Sequence, residues 1–116
     1  MCLLLAAVEL LVGHRFWLGR RDFVELFVEM DLDPDGTPLA FVDWAGAVGA
    51  LTAGRLVCSD SQGLILRLAA SLAQGMPVDL GAAVSGLDAN SIELVVAAVL
   101  SGNGRRPARG LGRAER

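Results

Sequence analysis

The sequence predicts an α+β domain, mainly α: about five helices packed around one β-hairpin, with strands at approximately 27–32 and 37–42. Three observations predict it. Apolar residues recur at helical spacing over most of the chain. Asp, Ser and Gly stand where helices start and stop. One stretch alone, from Phe27 to Val42, changes to a period of two around a Pro-containing turn.

Residues 3–12 are apolar nearly all round and are expected to form a covered helix ended by Gly13. His14 to Leu18 read as a bulky connector, and Asp22 to Leu26 as a short helix. Val28, Met30 and Leu32 then alternate with Glu29 and Asp31, which suits a half-buried strand. Asp33-Pro34-Asp35-Gly36 is turn chemistry: proline presets φ and glycine supplies a left-handed position. Leu39 to Val42 completes the hairpin, which needs helices to pack on because two strands alone are marginal in water. Asp43 is an N-cap for a helix over 44–53. Ser59 or Ser61 caps the next, to about Gln74, where Leu64, Leu68 and Leu72 form a stripe widened by Ile65 and Ala69. Asp79 starts a short helix to Ser85, and Asp88 starts the last, to about Leu100. The domain therefore spans 1–101, and 102–116 is expected to be a disordered Arg-rich tail.

Composition bounds the function. The chain has 116 residues, 53% apolar and 20% charged, enough for one domain with a real core. All ten basic residues are arginine, which points to the coding bias of a GC-rich genome. Five of them fall in the segment 105–116 with a single glutamate, so the body is acidic within a net charge of -3. An acidic body lacks the clustered cations that neutralise phosphates. Cys2 and Cys58 are too far apart for a metal pattern and too few for a secreted disulfide scaffold, so reduced thiols in the cytoplasm are expected. Met1 to Val12 has no basic n-region, contains Glu9 and is too short to span a bilayer, so a buried helix is expected rather than a signal or anchor. A start upstream of Met1 is the other reading of so apolar an opening.

Asp31-Leu32-Asp33-Pro34-Asp35-Gly36 matches the opening of a calcium loop, but position 12 is Val42 instead of glutamate and prolines occupy positions 4 and 8. A hairpin turn explains the same residues. The lone His14, Cys58 and the Ser59-Asp60-Ser61 group carry no nucleophile motif, and the serines suffice as caps. Without lysine there is no phosphate-binding P-loop. The last three helices have helix-turn-helix proportions, yet the recognition position carries Glu93 and no cation. No catalytic, cofactor-binding or metal residue is assigned, and no cofactor is expected.

The stretch from Asp33 to Leu72 (DPDGTPLAFVDWAGAVGALTAGRLVCSDSQGLILRLAASL) resembles small uncharacterised proteins of GC-rich actinobacteria. That resemblance implies a bacterial, cytoplasmic setting and no activity. The feature left over is apolar surplus, a mean hydropathy of +0.52. Two all-round apolar helices in one small domain are hard to cover. The expected function is therefore non-enzymatic: a protein–protein interaction or oligomerisation module, with a homo-oligomer or a protein partner and no membrane. The alternative is a small nucleic-acid-associated regulator that uses the arginine tail.

Overall fold

A computed structural model describes residues 2–104. Six helices and one hairpin follow in the order α1 (Cys2–His14), α2 (Arg21–Phe27), β1 (Val28–Leu32), β2 (Pro38–Val42), α3 (Trp44–Thr52), α4 (Asp60–Gln74), α5 (Leu80–Gly86) and α6 (Ala89–Gly102), with a 3-10 turn at Trp17–Gly19. The fold class is the one the sequence predicts.

The starts and stops have visible causes. Carboxylates of Asp43, Asp79 and Asp88 accept hydrogen bonds from the backbone N–H groups of Gly46 (3.0 Å), Ala82 (3.0 Å) and Ser91 (2.7 Å). Each thereby satisfies a first-turn donor with no partner inside its helix. At α4, Ser59 Oγ accepts from Gln62 N and Gln62 Oε1 accepts from Ser59 N, a reciprocal capping box. Gly75 ends α4 in the left-handed region at φ +70°.

Helix α4 is the hub. It touches α1, α3, α5 and α6. Accordingly Gly63, Ile65, Leu66, Leu68, Ala69 and Ala70 are all buried, a wider face than one leucine stripe. The interior contains many small side chains: Ala6, Ala7, Ala47, Ala50, Ala69, Ala70, Ala83 and Ala98 are all nearly inaccessible. Alanine lets helix backbones approach closely.

Three local expectations change. Helix α1 does not stop at Gly13 but runs to His14. A Cβ at Gly13 would lie 3.0 Å from Leu94 Cδ2 of α6, so this glycine serves helix approach, and the left-handed stop falls on Arg15 at φ 64°. The connector is not peripheral: Trp17 is fully buried and its Nε1 donates to Gln62 O at 2.9 Å. Phe16, Trp17, Phe23 and Phe27 form a chain of tilted and edge-on ring contacts. Arg20 stacks over Phe16 and Trp17, pairs with Asp22 and donates to Val57 O, tying this turn to the segment before α4.

The third change concerns the hairpin. The helices surround α4 and not the ribbon, which stands at the rim. Strand β1 runs straight on from α2, so only its base meets the helices, and Val28 and Val42 pack on the core there. Beyond that pair β1 is exposed on both faces, in place of the half-buried strand expected from alternation. Residues 105–116, most of the expected tail, lie outside the described residues, and α6 itself continues to Gly102.

Candidate functional site

The site is assembled from the two elements with the most uncovered apolar surface, α1 and the hairpin. The antiparallel register pairs Val28 with Val42, Met30 with Ala40 and Leu32 with Pro38. Paired residues share a face of the ribbon, so one face carries six apolar side chains and nothing polar. Met30 is 68% and Leu32 63% exposed. The opposite face presents Glu29 and Asp31, with Phe41 across from Glu29.

The tip of the ribbon is fixed by the residues that resembled a calcium loop. Gly36 N donates to Asp33 O (2.8 Å) with Pro34 and Asp35 between, and Gly36 takes φ +85°. Asp33 Oδ1 accepts from Asp35 N (2.9 Å) and Thr37 N (2.8 Å), while Asp31 Oδ1 accepts from Leu32 N. Local backbone donors hold these carboxylates. Among the described residues no group of three or more His, Cys, Asp or Glu is placed to hold a metal ion.

Between ribbon and helix runs an apolar groove of about 530 Å³, walled by Leu4, Leu5 and Val8 of α1, by Ala40 to Val42 of β2, and floored by Trp44. A smaller hollow of about 250 Å³ lies beside it, lined by Leu26, Glu29, Phe41 and Asp43 among others. Helix α1 reaches this position because its other faces are taken: Ala6, Ala7, Leu10 and Leu11 are buried, and α4 and α6 pack along it. Leu5 and Val12 remain more than half exposed. From Glu25 to Asp43 there are six carboxylates and no basic residue.

The polar residues singled out in the sequence lie apart. Asp43 caps α3 at the base of the hairpin. Cys58 lines a different hollow, of about 540 Å³, with Asp60, Gly63 and Arg67 among its walls and neither His14 nor Asp43. Burial pushes its thiol above the ordinary range, against the opposing pull of Arg20. Ser59 is occupied as a cap and Asp60 sits in the first turn of α4. His14 lies at the end of α1, edge-on to Phe16. Burial holds its imidazole below the usual 6.5, while Asp88 pulls the other way. Its Nδ1 is buried without a hydrogen-bond partner among the described residues.

This gives a pH dependence. The unfolded chain protonates His14 near 6.5, and the folded chain does so only at lower pH. The stability that depends on neutral His14 is complete above 6.5 and is lost as pH falls from there through the folded value. Urea midpoints should therefore drop as pH falls below 6.5, and His14→Phe should flatten that step. A midpoint that stays level in the unaltered protein would contradict the burial of this ring. Asp22 and Asp88, both held below 3.8 chiefly by hydrogen bonds, act in a separate window, losing their contribution only as pH falls below 3.8.

Against known proteins, the chain matches no family model, no curated protein and no solved structure.

The site is therefore read from its own chemistry. No helix among the described residues is long and apolar enough to cross a membrane. Helix α6, the recognition position of the helix-turn-helix reading, lies along α1 and carries Glu93. Alternation along β1 could reveal the apolar ribbon face in the sequence. Its lack of cover, and the facing leucines of α1, depend on tertiary placement.

Proposed function

We propose that this protein is a non-enzymatic interaction module that assembles with a second copy or a partner protein through the groove between α1 and the hairpin. One observation carries the reading: an apolar groove walled by Leu4, Leu5 and Val8 of α1 and by Ala40 to Val42 of β2, continuous through Ala40 and Val42 with a ribbon face of six apolar residues that is bare beyond its first pair. Small soluble domains rarely leave contiguous apolar surface of this kind unless something binds it. The flanking hairpin edges add unpaired backbone donors and acceptors that an extended partner could use. The reading extends the cytoplasmic setting expected from the two cysteines.

Light scattering on eluting protein tests it. The unaltered chain should show a mass above the 12.1 kDa of one copy at low or high salt. Met30→Glu with Leu32→Glu should return it to that mass, and the double variant should fold normally because both side chains already face solvent. Single-copy mass at every concentration and salt, in the unaltered chain and in a chain ending at Gly104 alike, would overturn assembly with a second copy.

A further inference from the structure

We infer that the Arg-rich segment 105–116 of the same chain is the resident occupant of the groove and hairpin, a cover that a partner of similar chemistry has to displace. This rests on the docking reading above and names what docks.

Three observations support it. The first is where the described chain ends. Gly102 is set so close to α1 that a Cβ there would be 3.0 Å from Leu3 Cδ2 and 3.5 Å from Ala6 Cβ. The segment thus departs beside Leu3, next in sequence to Leu4 and Leu5, which wall the groove. The second is length. Twelve extended residues reach roughly 40 Å, whereas passing around the end of α1 takes on the order of 10 Å, one helix diameter. The third is charge complementarity. Residues 1–104 carry 12 acidic and five basic residues, formally -7, and 105–116 carry five arginines and one glutamate, formally +4. Six of those carboxylates fall from Glu25 to Asp43, the stretch that contains the hairpin, and two of them, Glu29 and Asp43, line the hollow beside the groove.

The segment's composition fits both parts of the surface. Pro107, Ala108, Leu111 and Ala114 are apolar or small and suit a groove walled by leucine, valine and alanine. Arginines between them can reach Glu29 and Asp31, and Phe41, beside Glu29 in the ribbon, offers a ring face for a guanidinium. A second copy of the hairpin would instead bring four carboxylates, Glu29, Asp31, Asp33 and Asp35, against the same four. Attachment to the same chain favours docking within one copy, since a short tether sets an effective concentration in the millimolar range.

The test compares amide NMR spectra of the full chain with those of a chain ending at Gly104. The shorter chain keeps every residue of the buried core, which runs from Ala6 to Ala98. At low salt, amides of Leu4–Val8 and Glu29–Phe41 should differ between the two, and about 1 M salt should abolish the difference by shortening the screening length. Arg105→Glu/Arg106→Glu/Arg109→Glu/Arg113→Glu in the full chain should reproduce the shorter chain's spectrum. Adding Glu29→Arg and Asp31→Arg to that variant should restore the docked spectrum. Self-association of the chain ending at Gly104 should tighten on the order of tenfold, the scale of a few exposed ion pairs released. Identical spectra at low salt overturn the inference, as do differences that scale with protein concentration, which would place a second copy's segment in the groove. The interaction reading fails separately, when neither chain associates and Met30→Glu with Leu32→Glu changes nothing.

Discussion

Replacing Trp17 with alanine is expected to destabilise the domain by about 3–5 kcal/mol, a large part of the roughly 5–15 kcal/mol available to a fold of this size. Trp17 is 0% exposed, contacts the rings of Phe16 and Phe23, and carries Arg20 over its face. The substitution empties the centre of that cluster and removes the Nε1 hydrogen bond to Gln62 O. It also detaches the 3-10 turn from the first turn of α4, so the loss falls on the hub. Trp17→Phe separates the two contributions: it restores most of the ring volume but not the N–H donor. Its cost should be nearer 1–2 kcal/mol, the scale of one lost hydrogen bond together with a smaller ring. Urea denaturation of the three proteins measures both. A loss below about 1 kcal/mol for alanine would mean that the turn does not seat in the core.

That prediction could not be made from the sequence, and the reason is physical. Trp17 lies between two glycines in a segment without helical or alternating period, and such a segment reads as a connector. Nothing local shows that Gln62, 45 positions away, presents a carbonyl to its indole. Where a signal is local, the sequence was legible: Asp43, Asp79 and Asp88 cap the helices they were expected to cap, and Ser59, one of the two serines that could start α4, is its cap, because capping needs only a side chain and a backbone N–H three residues on. The Asp33–Gly36 turn was legible for the same reason. The candidate site was half legible. Alternation identifies an apolar set on β1, and composition identifies a surplus on α1. Which surplus stays bare depends on how α4 distributes its neighbours, and α4 is filled by helices before the ribbon can reach it.

Enlarging Ala69 to leucine is expected to cost about 2–3 kcal/mol although it adds apolar volume. Ala69 is inaccessible at the middle of α4, the helix along which α1 packs most extensively. Helix α1 is also rich in buried small residues, with Ala6 and Ala7 at 0% exposure. Three added carbon atoms cannot enter so closed an interior without a shift of the helices packed on α4, of which α1 is one, because interiors packed near crystal density do not yield by rotamer changes alone. Such a shift would also move Leu4, Leu5 and Val8, one wall of the groove. Ala69→Leu should therefore weaken assembly together with stability, whereas Met30→Glu with Leu32→Glu should weaken assembly alone. Thermal melting and light scattering on the same samples check this. If Ala69→Leu melts at or above the unaltered temperature, α1 and α4 are not held in close contact by small residues, and the placement of the groove beside them falls with that.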